Sequence, residues 1–86
     1  MIRVKINYFG YMMKKTLRNE EEEQVAEGST VGNLLDCLTD RYHYDFSQNG
    51  SLMILYNQKG ILQLKGRDTP LEDGADIAFL PKIAGG

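Results

Sequence analysis

Hydrophobic and polar residues alternate at the start of the chain: Ile2, Val4, Ile6 and Tyr8 are interleaved with Arg3, Lys5, Asn7 and Phe9. This period of two places one side of a strand on a core. Gly10 ends the pattern, and Tyr11 to Arg18 mixes apolar and basic residues in a way that suits a short helical turn or a wide loop. The run Glu20–Glu23 with Gln24 and Val25 has poor strand propensity. A strand returning along the first is nevertheless the simplest route to Gly28. Ser29 and Thr30 then offer an N-cap hydroxyl, and Val31, Leu34, Leu35, Leu38 and Tyr42 recur at the spacing of one helical face. That pattern predicts one helix of about three turns.

After the helix, Tyr42 to Ser51 is polar and aromatic, with Asn49-Gly50 as a turn signal. Leu52 to Tyr56 reads as a buried strand, Asn57 to Gly60 as a turn, and Ile61 to Leu64 as a short strand. Thr69-Pro70-Leu71-Glu72 has the layout of a capped single helical turn, closed by Asp73-Gly74. Ala75 to Leu80 forms a last strand with Ile77 and Phe79 on one face and Ala78 and Leu80 on the other, and Pro81, lacking an N–H, is expected to stop the ladder. The expected fold class is α+β, one domain over residues 1–86: a helix packed on one face of a mixed sheet, with the first and last strands side by side in the middle. Residues 81–86 are expected to form a flexible C-terminal tail.

Composition narrows the function classes. The 86 residues hold 42% hydrophobic and 26% charged side chains, ordinary for a globular domain and too short for two cores. One cysteine excludes an intramolecular disulfide and multi-cysteine metal sites. A net charge of -2 lacks the basic footprint of a nucleic-acid binder. The longest apolar run, Leu52 to Tyr56, is far short of a membrane span, and the amino terminus lacks the unbroken apolar stretch of a secretory signal, so a cytoplasmic protein is expected.

No phosphate loop, nucleophile with its base, or paired catalytic carboxylates stand out, so the chain is expected to turn over nothing alone. Cys37 sits off the helix's apolar stripe and reads as an inert, partly exposed thiol. His43 has no ligand partner at metal-binding spacing and reads as a surface histidine. The acidic run suits a solvated edge that discourages strand-to-strand aggregation, and Met12 and Met13 suit either core filling or an interaction surface.

The informative remainder is Ile83-Ala84-Gly85-Gly86. Glycines have no side chain for chemistry, so the useful group is the α-carboxylate, ionised at neutral pH and a nucleophile toward an activated phosphate. Glycine makes up about 7% of average sequence, so two at fixed positions arise by chance roughly once in 200. Without Cβ atoms, such a tail can thread a channel closed to other residues.

Together with Val4-Lys5-Ile6-Asn7-Tyr8-Phe9-Gly10, with Gly28 to Leu35 entering the helix, and with Leu71 to Gly86 at the end, this tail resembles the ubiquitin-like MoaD/ThiS sulfur carriers. The likeness is strongest to the small subunit of molybdopterin synthase. The resemblance implies a β-grasp fold and a protein cosubstrate that binds no cofactor or metal of its own. It implies that a ubiquitin-activating-like adenylyltransferase, using ATP and magnesium, adenylates the Gly86 carboxyl, that a persulfide donor supplies sulfur to make a thiocarboxylate, and that the tail then enters the molybdopterin synthase large subunit. Gly86 would carry the sulfur and Gly85 would let the chain reach the site. Phe79, Leu80, Pro81, Lys82, Ile83 and Ala84 would bind partners, with no role for nucleic acid or membrane. The chain departs from the family in Pro81-Lys82, where two prolines are common, and in a looser turn over Tyr56–Gly60. The alternatives are a modifier joined to other proteins through Gly86, and a thiamine-type or other biosynthetic sulfur carrier.

Overall fold

A computed structural model of the chain describes residues 1–47 and 50–82. The elements run β1 (Ile2–Tyr8), α1 (Met12–Thr16), β2 (Glu20–Val25), α2 (Val31–Tyr42), β3 (Leu52–Tyr56), β4 (Lys59–Gly60) and β5 (Asp76–Pro81), with 3-10 turns at Ile61–Gln63 and Gly66–Asp68 before β5. They form one five-stranded sheet in the order β2-β1-β5-β3-β4, with α2 laid across one face. The first and last strands lie side by side in parallel, as expected, with β2 antiparallel to β1 and β3 antiparallel to β5.

The alternation in β1 fixes which face meets the helix. Val4, Ile6 and Tyr8 are buried against Val31, Leu34, Leu35 and Leu38, while Arg3 and Lys5 face solvent. In α2 the Thr30 hydroxyl accepts from the Asn33 N–H at 3.3 Å and the Asn33 carbonyl oxygen accepts from the Thr30 N–H at 2.9 Å, so two free helix-end donors are satisfied. Past the helix, the Phe46 N–H donates to the Thr39 hydroxyl at 3.0 Å, and the Phe46 ring turns back into the core. Nothing in the polar segment around Phe46 marks it as a core residue.

Three local expectations are corrected. Ile61–Leu64 is not a strand. β4 is only two residues long, and the chain coils into a 3-10 turn that buries Ile61 and leaves Leu62 exposed. The Asn57–Gly60 turn is tight rather than loose: Asn57 and Gln58 both take positive φ, 48° and 72°, in the two-residue turn joining Tyr56 to its partner Lys59. Thr69–Glu72 is not a helical turn, because its donors are used elsewhere. The Leu71 N–H donates to the Ser29 carbonyl at 2.9 Å and the Glu72 N–H to the Tyr56 hydroxyl at 3.1 Å, while Thr69 and Pro70 lie beside the entry to α2. Of the Asn49-Gly50 turn, Asn49 lies outside the described residues and Gly50 is in a turn.

The acidic strand divides its charges by face. Glu20 and Glu22 point outward and pair with Lys5 and Arg3 at 3.5 Å, a solvated edge as expected. Glu21 and Glu23 point toward the helix. The Glu21 side chain, 9% exposed, accepts from the Tyr8 hydroxyl at 2.5 Å and the Tyr42 hydroxyl at 2.6 Å, with Arg18 and Arg41 at 3.4 and 3.3 Å. One carboxylate thereby joins β2, β1 and α2. Burial, and then the Glu21 carboxylate that accepts its proton, hold the Tyr8 hydroxyl well above the usual phenol range. Burial and Glu21 raise Tyr42 in the same direction.

The sign of the pH effect follows. A tyrosine whose folded pKa is raised contributes stability that is fully present below the unfolded value near 10 and is lost as pH rises above it. The melting temperature should fall as pH rises beyond about 10, and Tyr8→Phe should reduce the tyrosine share of that fall. At neutral pH the same substitution should cost about 1.5–3 kcal/mol, the range for a hydrogen bond to a charged group. Thermal melts of both proteins across alkaline pH measure each effect, and superimposable alkaline slopes would refute the assignment.

Candidate functional site

The last element among the described residues is β5, which is paired on both sides, and its final residues are anchored one by one. Phe79 is fully buried, with its ring stacked on Tyr8 at 5.7 Å between centroids and 14° between planes. Phe46 meets it edge-on at 5.0 Å. The Phe79 carbonyl accepts from the Phe9 N–H at 3.0 Å. The resemblance grouped Phe79 with the partner-binding residues, but its side chain is a core residue and cannot reach a partner while the core is closed.

The ladder does not stop at Pro81. Register pairs Pro81 with Leu52, and the Lys82 N–H donates to the Ser51 carbonyl at 2.8 Å. The reason lies in strand geometry. Successive N–H groups point to opposite sides of a strand, so if Lys82 donates toward β3, the donor that Pro81 lacks would point toward the side where β1 has already ended. That side is filled instead by Gly10, which has φ +60° and where an added Cβ would sit 2.8 Å from Pro81 Cγ. Gly10 therefore permits the close approach that fixes where the chain leaves the sheet.

Leu80 lies on the opposite face from Phe79. Beside it are Met53, directly across on β3, and Ala78 with its partner Leu55, a run of apolar side chains on the face that α2 leaves open. Phe9, one residue beyond β1, is also exposed. Lys82 is exposed, and Ile83, Ala84, Gly85 and Gly86 lie outside the described residues. Among the described residues no cluster of His, Cys, Asp and Glu has the makings of a metal site, and no helix is long and apolar enough to cross a membrane. Cys37 is exposed, with the Arg41 guanidinium 3.7 Å from its sulfur.

A model of the ThiS family matches residues 6–86. The chain belongs to the ThiS family. It is 33% identical over 87 residues, with all of both chains covered, to the molybdopterin synthase sulfur carrier subunit of Mycobacterium tuberculosis. Among solved structures, it superposes on small archaeal modifier protein 1 of Methanosarcina acetivorans with a TM-score of 0.81 at 28% identity, covering 100% of this chain and 98% of that one. Urm1 of Trypanosoma brucei gives a TM-score of 0.78 at 14% identity, covering 98% and 95%. The fold is thus the ubiquitin-like β-grasp that was expected, and the chain is a homologue of sulfur carrier subunits.

Two residues of this region carry no obvious sequence signal. Glu21 is one of four consecutive glutamates, and only the strand period separates it from its solvated neighbours. Gly10 reads as a simple strand breaker until Pro81 is seen against it. The Lys82 N–H bond also matters for mutagenesis: Lys82→Pro removes a donor to Ser51 as well as a charge, so Lys82→Gln is the cleaner probe of the ammonium.

Gly10→Ala should lower stability by about 1–2 kcal/mol from the left-handed backbone alone, and by more because the new methyl meets Pro81. Gly28 has φ +89° with nothing within 4 Å of an added Cβ, so Gly28→Ala carries only the backbone part. Urea denaturation of the two variants separates the terms. Equal losses would show that the Gly10–Pro81 contact is not tight.

Proposed function

We propose that this chain is a sulfur carrier acting in the cytoplasm as the small subunit of a molybdopterin synthase, and that Gly86 is its reacting residue. In this reading the Gly86 carboxylate attacks the α-phosphorus of ATP on a ubiquitin-activating-like adenylyltransferase, and pyrophosphate leaves. The terminal sulfur of a persulfide donor then displaces AMP at the acyl carbon to give an acyl disulfide, and a second thiol of the donor attacks the donor-side sulfur, releasing the thiocarboxylate and leaving the donor as a disulfide. The magnesium and ATP belong to the adenylyltransferase, and the carrier is a cosubstrate with no turnover of its own. The thiocarboxylate next enters a synthase large subunit, where its sulfur passes to a pterin precursor. The observation that carries the reading is identity along the full chain to a sulfur carrier subunit.

The geometry agrees with that use in two ways. β5 is held between β1 and β3 as far as Phe79 and by β3 alone through Lys82, and the four residues from there to Gly86 span at most about 14 Å when fully extended. Beside that exit, Leu80, Met53, Leu55 and Ala78 offer an apolar face of the kind that marks interaction sites. We assign Leu80, Pro81, Lys82, Ile83 and Ala84 to partner binding, with Gly85 admitting the tail to a narrow site.

A second reading, a modifier joined through Gly86 to lysines of other proteins, draws support from the likeness to small archaeal modifier protein 1. Mass spectrometry of material from the source cells separates the two. A form heavier by the replacement of one oxygen by sulfur supports the carrier, and branched Gly-Gly adducts on other proteins support the modifier.

Removing Gly86, or appending a residue after it, should abolish ATP–pyrophosphate exchange with the cognate adenylyltransferase. The melting temperature should be nearly unchanged, because chain termini contribute little buried surface. Undiminished exchange by the truncated protein would overturn the reading.

A further inference from the structure

Glycine and proline have the freest and the most constrained backbones, and this fold presses one of each together at the end of β5. Gly10 stands two residues after β1 with φ +60°, and a Cβ there would lie 2.8 Å from Pro81 Cγ and 3.2 Å from Pro81 Cδ. Carbon atoms attract best at about 3.5–4.0 Å. A methyl at position 10 therefore forces one of the two segments to give.

What holds each side decides which one moves. The Gly10 side is a closed corner. The Phe9 N–H donates to the Phe79 carbonyl at 3.0 Å, and the Phe9 and Gly10 carbonyls accept from the Met12 and Met13 N–H groups at 3.1 Å each. Met12 is fully buried, and the hydroxyl of the buried Thr16 lies 3.0 Å from the Met12 carbonyl, so the corner cannot shift without opening the core. The Pro81 side is held less firmly. Pairing with β1 ends at Phe79, and beyond it β5 has β3 alone, through the Leu80–Met53 and Pro81–Leu52 register and the Lys82 N–H bond to the Ser51 carbonyl at 2.8 Å. The ring itself gives no relief. Its Cδ is bonded to the residue's own backbone nitrogen, so the ring cannot swing aside as a long side chain would, and it moves only with the main chain. A methyl at position 10 is thus accommodated by the backbone of Pro81 and Lys82, at the expense of the bond to Ser51.

That backbone is the starting point for the last four residues of the sequence, which span at most about 14 Å when fully extended. Once the folded part is seated on a partner, the position of Lys82 limits which points the Gly86 carboxylate can reach. Reaction rates are sensitive to misplacements of about 1 Å. Strand alternation puts Pro81 on the face of Ile77 and Phe79, opposite Leu80 and Met53, so the contact with Gly10 is separate from the apolar face assigned to partner binding.

We propose that Gly10 is a positioning residue for the Gly86 reaction: its contact with the Pro81 ring fixes the point from which the last four residues start, and so sets how fast the seated carboxylate reacts rather than how tightly the folded part is held. The inference rests on the sulfur-carrier reading for the reaction itself. Gly10 touches no reacting atom in this account and acts only through Pro81. Its lack of a side chain is what the function requires, because any Cβ displaces the ring.

The test uses the full chain with its cognate adenylyltransferase. ATP–pyrophosphate exchange is measured for the native chain, Gly10→Ala, Gly28→Ala, Pro81→Ala and Gly10→Ala/Pro81→Ala, at a temperature where thermal melts show every form folded. Gly28→Ala carries the left-handed backbone cost with nothing within 4 Å of the new methyl, so it isolates the effect of lost stability. Gly10→Ala should lower kcat by about 10-fold or more with KM within about 2-fold of native, and Gly28→Ala should match the native chain. Pro81→Ala deletes the ring atoms that the methyl meets, so on that background Gly10→Ala should change kcat by no more than about 2-fold. Amide hydrogen exchange at Lys82 reads the geometry directly, and it should quicken in Gly10→Ala but not in Gly28→Ala. If the native chain supports exchange and Gly10→Ala matches it, or both glycine variants lose kcat alike, the positioning role is overturned and the carrier reading stands. Additive losses in the double variant, or an unchanged Lys82 amide in Gly10→Ala, would overturn Pro81 as the route. A rise in KM with kcat unchanged would overturn positioning in favour of a contact with the partner. No exchange by the native chain would sink the carrier reading and the positioning role with it.

Discussion

β5 is hydrogen-bonded on both sides, parallel to β1 and antiparallel to β3, and the rest of the molecule is arranged around that double pairing. A parallel pair needs a crossover to bring its second strand alongside the first. Here everything from α1 to the second 3-10 turn, including α2, lies between the two strands in sequence and serves as that connection. The same ladder that closes the fold also carries the chain to the exposed Lys82. The Phe79 ring makes the coupling physical, because one residue supplies a core contact to Tyr8 and Phe46 and stands two residues before Pro81.

Electrostatics organise the side of the sheet away from β5. Four consecutive glutamates are a poor strand in isolation, and their pairing with β1 places alternate carboxylates on opposite faces. The outward pair meets Lys5 and Arg3 in exposed ion pairs that contribute little to stability and keep the edge charged against association with other strands. Glu21 faces the helix and is nearly buried. It is tolerable there because two phenol donors and two guanidinium groups compensate a carboxylate removed from water. Removal of the Tyr8 hydroxyl alone leaves three of those partners, which is why the expected loss is that of one charged hydrogen bond.

The legible parts of this fold were those whose signal is local and periodic. β1, α2 and β5 each show the spacing that their burial requires, and the side-by-side placement of the first and last strands followed from their being the best-formed apolar strands. The misread segments are those where a tertiary partner outbids a local motif. Thr69-Pro70-Leu71-Glu72 carries the letters of a helix start, but Ser29 and Tyr56 take its donors. Ile61 is drawn into the core by the tight turn before it, which converts a candidate strand into a 3-10 turn. Pro81 was read from its missing donor alone, and the side to which that donor would have pointed is a property of the register. At the candidate site, Phe79 was grouped with the partner-binding residues although its own alternation with Ile77 puts it inward, while Leu80 is half-buried on the opposite face and Lys82 is exposed.

In the sulfur-carrier reading proposed above the reacting residue is a glycine, and the tail alone cannot distinguish one partner from another. Gly85 and Gly86 present only backbone atoms, which many proteins with a narrow channel would accept, so discrimination between partners has to come from the folded part. Gly86 lies four residues beyond Lys82, at most about 14 Å away when fully extended, so in that reading a partner that reacts with Gly86 also rests against the surface around Lys82. The open sheet face around Leu80 and Met53 is apolar. In that reading specificity is set by the folded platform, while the chemistry stays with the Gly86 carboxyl.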